Sequence, residues 1–276
     1  MTAGWLATHV DDPSIRVVDL RWYLGRPGDG RRAFHAGHIP GALFLDLDAD
    51  LVAPEGPGRH PLPRPDVFAS RLADAGIGDE HLVVAYDDVG GWVAARLWWM
   101  LDDLGHDAVA VLDGGYPAWV AAGLPVETAV RHYPATSLSL ASAWRNVVDR
   151  DGLRARLGSV TLLDARGAPR YRGEVEPIDP VAGHIPTARS APTDGNLAAD
   201  GAFLSPSELA ARFGRLGAGE GEVVTSCGSG VSACMHALAF RVAGLPDPIL
   251  YPGSYSDWST SGFPVVVGAE PGGAPG

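Results

Sequence analysis

A cysteine set among small residues is the clearest opening for chemistry in this chain. Val223-Val224-Thr225-Ser226 is a short run rich in β-branched residues that ends at Cys227. Gly228, Ser229, Gly230, Val231 and Ser232 follow, and then an apolar segment of helical character. Glycines let the backbone curl tightly, because they tolerate dihedrals that other residues avoid. A loop curled in this way turns successive N–H groups inward and makes a nest for an anion. The start of a following helix adds partial positive charge at the same point. Such surroundings favour a thiolate, the nucleophilic form of cysteine. Cys227 is therefore the candidate nucleophile, and the loop from Gly228 to Ser232 is the candidate cradle for its charge. Cys234 lies at helical spacing beyond it, with Leu238 behind, and is expected in the core.

Positioning such a loop takes a strand before it and a helix after it, and the chain supplies that arrangement twice. Val17-Val18-Asp19 recurs as Leu162-Leu163-Asp164, and Ala36-Gly37-His38-Ile39-Pro40 as Ala182-Gly183-His184-Ile185-Pro186. Val83-Val84 recurs as Val223-Val224. Leu112, Gly115 and Trp119 recur as Leu250, Gly253 and Trp258. Ordered matches at a nearly constant offset of about 140 residues mean two copies of one domain. The expected domains span 1–128 and 143–268, joined by a connector from Glu127 to Ser142. Short runs at Ile15–Leu20, His81–Tyr86, Ala108–Leu112, Val160–Asp164, Glu222–Ser226 and Ile249–Tyr251 predict strands. Asp66–Ala75, Val93–Leu104, Ser207–Phe213 and Val231–Val242 predict helices. Alternation of this kind predicts an α/β protein, each copy a mainly parallel sheet with helices on both faces. Ligands of such sheets bind beyond the carboxyl ends of the strands, where Cys227 falls. The first copy has Asp87 opposite Cys227, so it lacks the nucleophile. His38 and His184, present in both copies, are expected to hold turns, and the Gly/Pro-rich tail from Pro271 to Gly276 to be disordered.

Composition removes several classes of function. The chain has 276 residues, an apolar fraction of 46%, and a net charge of −12. All 21 of its cations are arginine, so lysine chemistry of the Schiff-base or P-loop kind is excluded. The acidic balance argues against nucleic acid as the main partner. Two cysteines make neither a disulfide framework nor a zinc site, and no metal is expected. No signal peptide is visible at the start, and no apolar run approaches the ~18 residues of a membrane span. The expected setting is the reducing cytoplasm, where a reactive thiol survives.

These residues resemble the tandem-domain rhodanese sulfurtransferases, from about Val17 to Val266. The resemblance rests on the repeat and on Cys227-Gly228-Ser229-Gly230-Val231-Ser232, which looks like the loop of the mercaptopyruvate branch. Its other marks include Leu20-Arg21-Trp22-Tyr23-Leu24, Gly37-His38-Ile39-Pro40-Gly41-Ala42, Phe44-Leu45-Asp46-Leu47-Asp48 and Leu112-Asp113-Gly114-Gly115. It implies two rhodanese-like domains, of which the second is catalytic. It also implies that Cys227 takes sulfur from a donor, becomes a persulfide, and passes the sulfur to cyanide, a thiol or thioredoxin, with no cofactor. By the same resemblance Ser229, His60 and Asp48 form a proton-relay set, and Arg170 binds the donor carboxylate. A second substrate arginine of that branch follows a Glu-Pro pair, but here Glu176-Pro177 is followed by Ile178. The missing fork predicts weak donor binding, with Arg172 or Arg189 as substitutes.

The chemistry holds without the family. Inward N–H groups would stabilise a persulfide anion, and small residues leave room for the added sulfur. The transfer itself is thiolate attack on sulfur. A thiol donor such as mercaptopyruvate must lose a proton, which gives a Ser/His/Asp set its task. Thiosulfate is a dianion and needs positive charge instead, yet Gly228 and Ser229 are neutral. Thiosulfate sulfurtransferase is the alternative enzyme, and a sulfur carrier that does not turn over is the alternative of another class. A cysteine phosphatase needs arginine where this chain has Ala233.

Overall fold

The computed structural model describes residues 1–219 and 221–275. They form two compact units. Unit 1 comprises Met1–Ala53, Pro63–Arg145 and Ala199–Ala202; unit 2 comprises Pro54–Leu62, Asn146–Ala198 and Phe203–Gly276. The segment Pro54–Leu62, which carries His60, thus belongs with the second copy although its neighbours in sequence belong with the first.

Unit 1 runs α1 (Ala3–Ala7), β1 (Ile15–Asp19), α2 (Asp29–Ala36), β2 (Leu43–Phe44), α3 (Leu47–Asp50), α4 (Pro65–Asp74), β3 (Leu82–Tyr86), α5 (Ala94–Asp103), β4 (Val109–Val111) and α6 (Gly115–Ala121). Its sheet has the order β2-β1-β3-β4, and every pair is parallel. All five β1 residues are buried, as expected of a strand covered on both faces. One face packs Leu6, Phe34, Ile39 and Trp119 against Val17 and Val84. Trp98 and Trp99 are buried within α5. The connector is not a free linker. Tyr133 donates to the Gly41 carbonyl and lies under the Arg16 guanidinium, and Ser139 is bonded to Asp79.

Unit 2 runs α7 (Arg150–Arg156), β5 (Thr161–Asp164), α8 (Ala168–Tyr171), β6 (Arg189–Ser190), a 3-10 turn (Thr193–Asn196), α9 (Pro206–Arg215), β7 (Val223–Ser226), α10 (Cys234–Val242), β8 (Ile249–Leu250) and α11 (Ser254–Trp258). The order β6-β5-β7-β8 is again wholly parallel. The period-2 alternation of strands divides its core. Leu162 and Val224 pack with Leu153, Tyr255 and Trp258, whereas Leu163 and Val223 pack with Leu209, Phe213 and Phe240. Helix α9 opens on a capping box, in which the Ser205 hydroxyl accepts the Glu208 N–H and the Glu208 carboxylate accepts the Ser205 N–H.

A buried ion pair is repeated in the two units. Arg21 donates to both Asp19 oxygens and to the Gly37 carbonyl, and its guanidinium lies over Tyr116. Arg166 does the same to Asp164 and Gly183, over Tyr255. Each pair ties the end of the first long strand to the Gly-His-Ile-Pro turn. His38 and His184 are buried there, and each donates from Nδ1 to a carbonyl of the preceding helix, that of Phe34 or Tyr171. The tail departs from expectation, because Thr187 donates its N–H to the Pro271 carbonyl at 2.7 Å and anchors the start of that segment. Gly276 lies outside the described residues.

His236 is buried on α10, edge-on to Phe213. Burial, helped by the Arg212 guanidinium, pushes it down from 6.5 to about 4. The unfolded chain therefore takes up a proton in a range where the folded protein refuses it. Stability is expected to fall as pH drops from 6.5 toward 4, by about 3 kcal/mol from this residue. Urea melts of wild type and His236→Leu at neutral and acid pH check it. The leucine variant should lose less stability on acidification, and equal losses would remove His236 from the account.

Candidate active site

The predicted nucleophile stands where the strand pattern put it. Cys227 follows β7, is buried, and leads into the loop before α10. The helix begins at Cys234 rather than Val231, because Val231, Ser232 and Ala233 accept bonds from residues three ahead and form a tighter lead-in turn. Gly230 has φ +80, and a Cβ there would lie 2.3 Å from the Pro252 carbonyl oxygen, so only glycine fits. Its N–H points at the Cys227 sulfur, 3.1 Å away. Cys234 is buried as expected, its thiol 3.4 Å from the Gly230 carbonyl.

Unit 1 displays what this loop architecture can hold. Asp87 occupies the position of Cys227 and is fully buried. Its carboxylate accepts N–H bonds from Val89, Gly91, Val93 and Ala94. Burial pushes this carboxyl above its ordinary value, against the pull of those four donors. The first copy thus fills its cradle with its own carboxyl group. The second copy places a smaller sulfur there and keeps Gly228, Ser229 and Gly230 in the loop.

Ser254 is a site residue that reading the sequence missed. Its hydroxyl accepts the Cys227 N–H at 3.0 Å, donates to the Tyr251 carbonyl at 2.9 Å, and lies 4.0 Å from the Cys227 sulfur. It does so at φ +53, a left-handed conformation that serine rarely adopts. The matching position in unit 1 is Gly115, at φ +58, because Tyr116 N–H meets the Asp87 carbonyl as Tyr255 N–H meets that of Cys227. The pairing of Gly115 with Gly253 in the sequence repeat is therefore one residue out. Likewise Leu112 answers to Tyr251, since each donates its N–H to the matching β3 or β7 residue, Ala85 or Thr225.

His60 and Ser229 are brought together: His60 Nδ1 and Ser229 Oγ share a 2.6 Å hydrogen bond, and both residues are buried. The segment before His60 is clamped, with the Arg59 N–H donating to Ser256 Oγ at 3.1 Å. Asp48 lies on α3 of unit 1, exposed, and accepts the Trp22 indole N–H at 2.8 Å. Arg170, on α8, is held by Glu176 through Nε and Nη2 and by Asp179 at 2.9 Å. Burial pushes the Glu176 carboxyl up, yet the bonds and charge of Arg170 and the Asp179 and Ile178 N–H groups together outweigh it and hold that group below its usual value. Burial raises Asp179, against the pull of Arg59.

Neither proposed substitute for the arginine absent at Ile178 reaches this loop. Arg172 pairs with Glu174 at 2.7 Å, and Arg189 donates to the Leu216 carbonyl beside Gly217 and Thr161, at the amino end of β5. Arg59 is there instead, paired with Asp179. Among the described residues, no group of three or more His, Cys, Asp or Glu side chains could hold a metal ion. No helix among them is long and apolar enough to cross a membrane.

The family model for the rhodanese-like domain matches residues 2–122 and again 149–261. This chain belongs to the rhodanese-like family. It is 46% identical over 271 residues to a Pseudomonas aeruginosa protein provisionally named 3-mercaptopyruvate sulfurtransferase, covering 94% of each chain. It is 40% identical over 278 residues to a Mycobacterium tuberculosis protein provisionally named thiosulfate sulfurtransferase SseB, covering 94% of this chain and 93% of that one. Among solved structures, it is similar to the 3-mercaptopyruvate sulfotransferase SseA from Escherichia coli. That match has a TM-score of 0.81 and 32% identity, over 93% of this chain and 98% of the other. The two-copy α/β architecture inferred from the repeat, and the rhodanese-like domains implied by the resemblance, are thereby borne out: two parallel four-strand sheets, each flanked by helices.

Proposed function

We propose that this rhodanese-family protein moves sulfur from 3-mercaptopyruvate, through a persulfide on Cys227, to a thiophilic acceptor such as cyanide, a thiol or thioredoxin. That it is an enzyme of the sulfurtransferase class is supported by its relatives, which are named 3-mercaptopyruvate or thiosulfate sulfurtransferases. The choice of donor rests on the hydrogen bond between His60 and Ser229.

The Cys227 thiolate attacks the sulfur of mercaptopyruvate. An S–S bond forms, the donor C–S bond breaks, and its electron pair passes to the methylene carbon of the pyruvate enolate. The thiol proton of the donor leaves sulfur through Ser229 and His60 and is delivered to that carbon, giving pyruvate. Sulfur is oxidised and carbon reduced by the same electron pair, so no outside oxidant is needed. The persulfide anion is held by the Gly230 N–H and the neighbouring cradle. A thiolate or cyanide then takes the outer sulfur and returns Cys227 as thiolate. Thiosulfate would form the same persulfide with loss of sulfite and has no proton to move.

Charge around the loop favours the same donor. Arg59 and Arg170 face Asp179 and Glu176, so the two cations are already balanced by two carboxylates. A dianion gains less there than at an uncompensated basic site. Side-by-side kinetics with cyanide as acceptor should give the higher kcat/KM for 3-mercaptopyruvate. A higher value for thiosulfate would replace this reading with thiosulfate sulfurtransferase. Persulfide formation without turnover on either donor would make the protein a carrier.

A further inference from the structure

We infer that Asp257 is a positioning residue for the nucleophile: acting through Tyr251, it holds Ser254 in its left-handed conformation and so sets the backbone of Cys227. The inference rests on the sulfurtransferase reading above and adds a residue to the support of the cysteine.

A serine at φ +53 is strained, and such strain persists only where the surroundings over-determine it. The Ser254 hydroxyl spans the Cys227 N–H and the Tyr251 carbonyl, so its place depends on where Tyr251 stands. Tyr251 is fixed from two sides. Its N–H donates to the Thr225 carbonyl at 2.9 Å, and its phenol donates to Asp257 Oδ2 at 2.6 Å. Burial, and then the bond and charge of Asp257, raise this phenol above its usual value, so it stays a donor. The other Asp257 oxygen accepts Arg150 Nη1 at 3.1 Å. Asp257 itself lies in the first turn of α11, its N–H bonded to the Gly253 carbonyl at 3.1 Å. The carboxylate therefore closes the segment from Tyr251 to Asp257 into a ring, with Ser254 at its middle and Arg150 as an anchor outside it.

The first copy is an internal control. With Gly115 matched to Ser254 and Leu112 to Tyr251, Ala118 matches Asp257. The Ala118 N–H bonds the Gly114 carbonyl as that of Asp257 bonds Gly253. A Cβ built on Gly114 would lie 2.6 Å from Ala118 Cβ, and one built on Gly253 would lie 2.7 Å from Asp257 Oδ2. Helix α6 forms there without the phenol or the carboxylate, and Tyr116 N–H still reaches the Asp87 carbonyl. Neither this helix nor its backbone bond to the loop therefore requires an acid at the position of Asp257. What the second copy adds is a serine where glycine is unstrained, with its hydroxyl on the backbone of a cysteine. Leu112, Gly115 and Ala118 are replaced together by Tyr251, Ser254 and Asp257, in the copy that carries the nucleophile. The three polar residues thus serve Cys227 rather than the fold the copies share.

A double-mutant cycle separates this role from a structural one. Ser254→Gly installs the residue that the first copy uses at this dihedral, so the backbone is relieved while the hydroxyl is lost. Wild type, Asp257→Ala, Ser254→Gly and the double variant, as full chains with cyanide as acceptor, should be compared on 3-mercaptopyruvate and thiosulfate. Each single variant is expected to lose about 10-fold in kcat on both donors with KM little changed, because these bonds act on the cysteine and not on the donor. The double variant should be no more than about twofold below the worse single one, since Asp257 acts through Ser254. Tyr251→Phe removes the phenol and keeps its packing, and it should follow the same pattern: a loss with Ser254 present and almost none in the Ser254→Gly background. An unchanged kcat in Asp257→Ala, or the same fold-loss in both backgrounds, would overturn the inference and leave Asp257 as the partner of Arg150. If Asp257→Ala fails to fold, the Tyr251→Phe cycle decides by the same criterion. Alkylation of Cys227 by iodoacetamide, located by peptide mapping, needs no donor and should show the same non-additivity. Wild type inactive on both donors would sink the functional reading, and the alkylation cycle would then decide the inference alone.

Discussion

Cys227→Ser should reduce sulfur transfer to background with either donor, and Cys234→Ser should leave most of it. The sulfur of Cys227 lies in the loop, with the Gly230 N–H at 3.1 Å and the Ser254 hydroxyl at 4.0 Å. Cys234 is buried on α10 with its thiol turned to the Gly230 carbonyl, which suits a packing role. Serine is nearly isosteric at both positions, so folding is spared and the chemistry is isolated. Intact-protein mass after treatment with donor should show one added sulfur in wild type and in Cys234→Ser, and none in Cys227→Ser. Peptide mapping should place it on Cys227. A persulfide confined to Cys234, or turnover surviving in Cys227→Ser, would move the nucleophile elsewhere.

The sequence exposes this nucleophile more readily than its surroundings, and the reasons are physical. Central strands are buried on both faces, so each carries an apolar pair at its centre, Val17-Val18, Val83-Val84, Leu162-Leu163 or Val223-Val224, and β1, β3, β5 and β7 are legible to within a residue. The edge strands Leu43–Phe44 and Arg189–Ser190 are two residues long and carry no periodicity to detect. Helix α2 was invisible because its buried side consists of little more than Phe34. Ser254 was lost for a different reason. The repeat was paired on glycine identity, Gly115 with Gly253, whereas the fold pairs left-handed positions and accepts serine at one of them. Arg59 shows a third kind of silence. Its neighbour His60 was singled out by resemblance, but only the packed segment reveals that the preceding side chain reaches Gly228. Asp19 and Asp164 were read as part of the first strand of each copy, and the arginine two residues on was not singled out as the partner that completes each buried pair.

His60→Ala should lower turnover with 3-mercaptopyruvate by ~10²-fold or more, the usual scale for lost acid–base help. The argument begins with the 2.6 Å bond between His60 Nδ1 and Ser229 Oγ, two buried groups with little access to water as a substitute. A donor thiol must give up its proton as its sulfur is attacked, and the departing carbon must gain one. Without the imidazole, the serine hydroxyl has no partner with which to exchange that proton. Ser229→Ala should cost a similar factor, because either substitution breaks the same path. The double variant should then be little worse than the worse single one, since residues acting as one unit are not additive. Thiosulfate brings no proton, so its losses should be markedly smaller. That asymmetry separates proton transfer from support of the loop, because a merely structural histidine would hurt both donors alike. Asp48→Asn is the companion measurement for the third relay member implied by the family, and it should share the donor asymmetry if it serves the same proton. Equal losses on both donors in His60→Ala, with additive effects in the double variant, would assign His60 and Ser229 to holding the segment around Arg59 and would remove the main support for mercaptopyruvate as the donor.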